Sequence, residues 1–369
     1  MISAFSKNLG ISAIAVREPD CILPNAWFGP VISRKFEHHT GILSRPVSWS
    51  DEVAMGVEAV KKLQDETGCD LRDCAAIVFA SPSFVPQNIA RQHFEPARAR
   101  QEHLMRAAHE LSSQLNIPRC PVYGLNWFCS GYAKAMEEVR RHLVPIVGLA
   151  ANQYMLIVTA SRISRITDYG CSQTGALFGD MATATLVART DSARFPVHFK
   201  LLYARAEKQA AARVMFNFEV RENVLQPLET GGQTRTSERL VFTLDGMGIA
   251  DVAPRAMTSA VAKALRAKRI LPEHVSFVVP HQAGSGIIRL ATMKLEELGI
   301  RGQVINGLTS RVGNVSSCSI PFALKQKWNE LQGLIACPTA AVGSPGKAEV
   351  SQGCILLEST SAHRPSQDS

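Results

Sequence analysis

Apolar positions along this chain follow two rhythms that alternate from end to end. Short apolar or β-branched runs at residues 11–16, 75–81, 121–123, 154–160, 275–280 and 353–358 predict strands. Those at 75–81 and 154–160 are apolar on both faces, as buried parallel strands require. Between the runs the spacing lengthens to helical period: Val53, Val57, Val60 and Leu63 share one face, and so do Ala133, Met136, Val139 and Leu143. Ser50-Asp51-Glu52 is a capping signal for the first of these helices. Helical spacing returns at residues 252–265, 287–298 and 320–331. Residues 207–240 are polar, contain Gly231-Gly232 and show no clear period, so they predict loop and short strands. At Phe178-Gly179-Asp180 a turn leads into small residues that alternate as a strand. The polar tail, residues 359–369, is expected to fray.

Strands alternate with helices in both halves. The expected fold is therefore α/β, a duplicated unit spanning residues 1–190 and 191–369 with its site between the copies, although no repeat is detectable in the sequence itself.

Composition narrows the class. With 369 residues, 46% apolar and 20% charged, the chain is long enough for well-filled cores. No apolar run approaches the roughly 20 residues a membrane helix needs, and residues 1–10 lack a secretion signal, so a cytoplasmic protein is expected. Nine scattered cysteines without a C-x-x-C pair suggest reduced thiols, and with no H-E-x-x-H motif no zinc site is expected. Side chains of the adjacent His38 and His39 would not converge on a metal. The formal charge of +8 favours acidic partners. Its basic residues are spread out and no nucleic-acid motif is present, so an acidic carrier protein or a phosphate-bearing cofactor fits better than nucleic acid. Residues 88–110 form a basic stretch that is either a solvated face or a docking surface or lid.

Three turns carry candidate chemistry. Pro121-Val122-Tyr123 leads through Gly124-Leu125-Asn126-Trp127-Phe128-Cys129-Ser130-Gly131 into the helix of Ala133, which places Cys129 at a helix N-terminus. There, unpaired N–H groups and the helix dipole favour the nucleophilic thiolate. His281 follows a buried strand, at the edge where α/β sheets present ligands, and Asn314 lies among small residues before a helix. Alone, each has an ordinary structural explanation. Together they supply a nucleophile and two donors able to converge on one thioester oxygen. Phe84, Phe94, Trp127 and Phe128 are candidate pocket residues. Gly284-Ser285-Gly286 lacks the spacing of a hydrolase elbow, and Gly246-Met247-Gly248 lacks a third glycine for a dinucleotide.

Cys129 in its small-residue turn, Pro280-His281-Gln282-Ala283 and Gly313-Asn314-Val315-Ser316-Ser317 together resemble the thiolase superfamily, and within it the β-ketoacyl-acyl-carrier-protein synthase III group. His39-Thr40-Gly41-Ile42 and Phe178-Gly179-Asp180 are similar to further motifs of that group. The resemblance implies a thiolase-like five-layered αβαβα fold of two similar halves, a homodimer, and Claisen condensation without metal or redox cofactor. Carried over, Cys129 takes an acyl group from an acyl-coenzyme A or acyl-carrier thioester. His281 and Asn314 bind the carbonyl of a malonyl-carrier thioester as carbon dioxide leaves. Backbone N–H groups of Cys129 and of a late glycine loop, assigned to Gly343, hold the second oxyanion. Lys35 and His39 stand where the family commonly places a tryptophan and an arginine against coenzyme A, and Arg289 replaces a carrier-binding arginine. These departures, with the basic stretch, point to a specialised homologue. Two alternatives keep the acyl-cysteine: transfer to an oxygen or nitrogen nucleophile, and condensation of two acyl thioesters. A third is a non-catalytic partner subunit.

Overall fold

The computed structural model describes residues 8–19, 21–33, 35–83 and 97–360 of the chain. Phe84, Phe94 and residues 88–96 of the basic stretch lie outside the described residues. The first half runs β1 (Leu9–Arg17), β2 (Cys21–Pro24), α1 (Phe36–Thr40), β3 (Ser44–Val47), α2 (Glu52–Thr67), β4 (Cys74–Ala80), α3 (Ala97–Gln114), β5 (Val122–Leu125), α4 (Gly131–Glu138), α5 (Val144–Val147), β6 (Tyr154–Ser161) and β7 (Met181–Arg189). The second runs β8 (Phe199–Ala210), β9 (Phe216–Pro227), β10 (Gln233–Leu244), α6 (Gly246–Lys268), β11 (Val275–Val278), α7 (Ser285–Glu297), β12 (Gln303–Val304), α8 (Thr309–Val312), α9 (Ser319–Gln326), β13 (Leu334–Val342) and β14 (Glu349–Ser359).

Ten strands join in the order β12-β11-β13-β14-β8-β1-β7-β6-β4-β5. Outward from the middle, the first half supplies β1, β7, β6, β4 and β5, and the second supplies β8, β14, β13, β11 and β12 in the same sequence of roles. Pairing directions repeat as well. β4 is parallel to β5 and β6 as β11 is to β12 and β13, while β6/β7 and β13/β14 are antiparallel. A short ladder, Gly10 with Lys200 and Ile11 with Phe199, joins the halves. The duplication is thus a matter of topology, carried by burial pattern rather than residue identity.

Alternation within the strands builds five layers. Val78, Ala80, Met155 and Ile157 of the first sheet, and Ile335, Cys337, Ile355 and Leu357 of the second, turn inward onto α4 and α9. Their neighbours Ile77, Phe79, Leu156 and Val158 face outward onto α2 and α3. On the far side Leu334, Ala336, Cys354 and Leu356 pack beneath α6 and α7. The central helices bury apolar faces between the strands: Tyr132, Ala133, Ala135 and Met136 on α4, Ile320, Ala323 and Leu324 on α9.

Asp51 caps α2 as expected, its carboxylate accepting from Ala54 N at 2.8 Å. Residues 207–240 are more regular than the loop and short strands expected. They belong to the end of β8 and a long hairpin, β9 and β10, paired from Phe216↔Leu244 to Pro227↔Gln233. As a two-stranded ribbon it carries polar residues on both faces along much of its length, so period-2 alternation survives chiefly near its root, where Phe216, Phe218 and Phe242 are buried. Gly246-Met247-Gly248 opens α6, capped by Asp245, whose carboxylate accepts from Gly248 N at 2.9 Å. The helix expected at 320–331 stops at Gln326.

Candidate active site

The Cys129 turn is held by side chains on both flanks. Asn126 Oδ1 accepts from Phe128 N at 3.1 Å, and its Nδ2 donates to Pro82 O at 3.2 Å. Phe128 takes a left-handed conformation, φ 46°, an uncommon state for a bulky residue that marks stored strain. A 3-10 turn at Phe128–Ser130 then runs directly into α4, with Cys129 just ahead of its first residue. Gly131 lets the turns pack closely, since a Cβ there would stand a tight 3.0 Å from Ser317 Cβ.

A similar arrangement faces it from the second half. Ser316 is also left-handed, φ 51°, and opens the 3-10 turn Ser316–Cys318 that leads into α9. Ser316 N donates to Asn314 Oδ1 at 2.9 Å, which orients the amide and leaves its Nδ2 as the donor. Ser316 Oγ donates to Cys129 Sγ at 3.6 Å. One serine therefore links the asparagine to the thiol. Asn314 is itself anchored through its backbone, donating to Leu177 O at 2.9 Å and accepting from Gly179 N at 3.2 Å. Next to it, buried Asp180 accepts from Ser48 N, Ser164 N and Ser164 Oγ. Burial outweighs these bonds and pushes the Asp180 carboxyl up to about 6.

His281 follows β11, its N–H donating to Pro338 O at 2.9 Å, and Gln282 N donates to Ser319 Oγ at 2.6 Å. His281 Nδ1 is sealed from solvent with no protein partner among the described residues. Burial lowers this histidine to about 3, so at neutral pH the ring is uncharged. A neutral imidazole keeps one N–H able to donate a hydrogen bond. Cys129 moves the opposite way: burial pushes its thiol up to about 11, with the Ser316 hydroxyl working against the shift. The resting pair is a thiol and a neutral imidazole.

Cys129, His281 and Asn314 all line one cavity of about 750 Å³. Its inner wall is apolar and largely aromatic. Phe128 meets Phe216 of the hairpin edge-on at 4.8 Å between ring centroids, and Phe178 meets Phe242 at 5.3 Å. His39 and Arg289 line the mouth together with half-exposed Leu290 and Met293. α1 and α7 approach closely here, because a Cβ on Gly41 would overlap the Ser285 side chain.

Of the expected site residues, Cys129, His281, Asn314, His39 and Arg289 share this cavity, whereas Lys35 is exposed just before α1 and outside its lining. Gly343 is also outside. Its N–H donates to Glu349 O at 3.0 Å and closes the turn between β13 and β14, so it is not free to hold an oxyanion; Ala340, Ala341 and Val342 line the cavity instead. Phe128 is a lining residue, but Trp127 packs against the core with Lys134 and Lys208 over its ring. Ser316 and the hairpin phenylalanines were not singled out from sequence. Ser316 had no signal beyond its place among small residues, and the hairpin aromatics were hidden in a polar stretch.

Known proteins similar to this chain share its two-part organisation. Residues 123–201 match the family described as 3-Oxoacyl-[acyl-carrier-protein (ACP)] synthase III, and residues 265–333 match the C-terminal domain of the same family. The chain thus resembles the β-ketoacyl-acyl-carrier-protein synthase III group of the thiolase superfamily in both of its halves. The two matched segments contain Cys129, His281 and Asn314. A β-ketoacyl-acyl-carrier-protein synthase III of Helicobacter pylori (strain Shi470) is 24% identical over 328 residues, covering 87% of this chain and 89% of that protein. Among solved structures, 3-oxoacyl-acyl-carrier-protein synthase III of Aquifex aeolicus VF5 superposes with a TM-score of 0.66 at 22% identity, covering 95% and 99% of the two chains. The priming β-ketosynthase of the R1128 polyketide biosynthetic pathway gives a TM-score of 0.65 at 18% identity, covering 96% and 97%. This synthase III-like chain therefore shares the thiolase-like fold across nearly its whole length.

Proposed function

We propose that the chain is a specialised ketosynthase that loads an acyl group onto Cys129 and condenses it with a malonyl-carrier thioester by decarboxylative Claisen chemistry. The observation that carries this is the convergence of a thiol, a neutral imidazole and an oriented carboxamide on one apolar cavity. In the loading step the Cys129 sulfur attacks the donor thioester. The donor thiol leaves with the proton that Cys129 gives up. The backbone N–H of Cys129, in the turn just ahead of α4, serves the oxyanion.

In the second step His281 and Asn314 Nδ2 donate to the malonyl thioester oxygen. Carbon dioxide leaves, the electron pair moves onto that oxygen as an enolate, and the enolate carbon attacks the acyl-cysteine. Collapse expels the Cys129 thiolate, which regains a proton readily because its thiol lies high. A protonated, charged histidine would donate too, but the apolar surroundings make the neutral ring the stable donor throughout. Exclusion of water by the aromatic wall protects the acyl-cysteine and the enolate.

The substrates proposed are acyl-coenzyme A or acyl-carrier thioesters, with an acidic acyl carrier protein meeting Arg289 at the cavity. His39 and Lys35, inside and beside the mouth, would contact the pantetheine or nucleotide end. Among the described residues β5 ends the sheet with an unpaired edge, which supports a homodimer formed through a second copy. No described helix is long and apolar enough to cross a membrane, and a cytoplasmic location is proposed with that. The two halves, residues 1–190 and 191–369, are proposed as the units of the duplication.

Mass spectrometry of the intact protein after incubation with a panel of acyl-coenzyme A and acyl-carrier thioesters tests the reading. An adduct mapping to Cys129 is expected, lost in Cys129→Ala. Asn314→Ala should still load but release carbon dioxide from malonyl-carrier about a hundredfold more slowly. A Cys129→Ala protein that still acquires acyl groups would refute the nucleophile.

A further inference from the structure

We propose that Cys74 and Cys120 are a redox-active pair, closing to a reversible disulfide on the outer edge of the first sheet, away from the cavity. Their sulfurs lie 3.9 Å apart, and Cys120 Sγ also stands 3.5 Å from Cys74 O. Cys74 opens β4 and Cys120 sits just ahead of the parallel neighbour β5, where Ile77 N donates to Pro121 O at 2.9 Å. Neighbouring strands lie about 4.8 Å apart, so the two backbones fall within the window a disulfide tolerates.

Access and asymmetry favour the reaction. Both cysteines line a surface hollow of about 580 Å³, with Arg72 and Arg119 among its walls. Cys74 is buried, while Cys120 is half-buried and open to that hollow. Burial, together with its contact with Cys120, pushes the Cys74 thiol up. Being the more accessible of the two, Cys120 is the attacking sulfur and buried Cys74 the resolving one.

The oxidant proposed for this hollow is a small disulfide, for which glutathione disulfide is the probe. The Cys120 thiolate attacks one of its sulfurs and expels a glutathione thiolate. Cys74 then gives up its proton, attacks the Cys120 sulfur of the mixed disulfide and expels the second glutathione. Two cysteine thiols are oxidised and one disulfide is reduced to two thiols. The product ties β4 to the start of β5, the strand that runs into the Cys129 turn.

The full chain, reduced and then freed of reductant, is incubated with glutathione disulfide and mapped without reduction. A linked Cys74–Cys120 peptide is expected, with a melting temperature several degrees higher and both effects reversed by dithiothreitol. Cys74→Ser should instead trap glutathione on Cys120, and Cys120→Ala should show neither product at Cys74. Three results would overturn the proposal: glutathione resting on Cys120 of the unaltered protein, a Cys120 that stays free, or a linkage that pairs either residue with another cysteine. Because the readout is thiol connectivity, it is independent of whether Cys129 accepts any acyl donor.

Discussion

Ser316→Ala removes one hydrogen bond, and its consequence at Cys129 can be worked through. The Ser316 hydroxyl is the side-chain donor to Cys129 Sγ, at 3.6 Å, and it favours the charged sulfur. With the thiol at about 11, only about one part in a thousand is thiolate at pH 8. A hydrogen bond to a charged group contributes on the order of 1.5 kcal/mol net, so its loss raises the thiol by about one unit and cuts the thiolate about tenfold. A more basic thiolate is also a better nucleophile, and a Brønsted slope near 0.4–0.5 returns about threefold. The net expectation is a slowing of about threefold at pH 8.

The assay is timed labelling with a small methanethiolsulfonate, read by mass spectrometry on the Cys129 peptide so that the other cysteines do not interfere. In the unaltered protein the rate should climb about tenfold per pH unit from 7 to 10, since the thiol lies above that window. Alanine tolerates φ 51° as poorly as serine does, so the fold should lose little and the melting temperature should move by about 2 °C or less. A plateau in the unaltered protein near pH 8 would refute the raised thiol. An equal or faster rate in Ser316→Ala would refute the part assigned to the hydroxyl.

Other consequences are equally direct. The Asp180 carboxyl sits at about 6 in the fold against 3.8 when free, so its favourable contribution is complete below pH 3.8 and is lost as pH rises through 6, about 3 kcal/mol in all. Asp180→Asn should abolish that part of the pH dependence while lowering the melting temperature, because one acceptor oxygen becomes a donor facing donors. Gly179→Ala would drive a Cβ into Val312 O and to 2.9 Å from Pro46 Cδ, displacing the strand that holds the Asn314 backbone; a loss of several kcal/mol in denaturant melts and weaker malonyl decarboxylation are expected. Phe216→Ala should cost about 3 kcal/mol and widen the inner cavity, shifting acyl loading toward longer donors in competition assays.

What the sequence determined by itself was local. The capping signal at Asp51, the buried runs of β4 and β6, and the small residues around Cys129, His281 and Asn314 state their conformations within a few positions, because propensity, capping and turn chemistry act over that range. The motif order was also enough to suggest the family, and with it the layered fold. Tertiary structure decided everything that depends on residues distant in the chain. It brought Ser316 to Cys129, put the Gly343 N–H into a hairpin instead of the cavity, and set Cys74 beside Cys120. It also folded residues 216–244 into a ribbon whose buried root walls the site while its polar length conceals the period. Such contacts are chosen by packing and by the accounting of buried polar groups across the whole core, and no short stretch of sequence carries them.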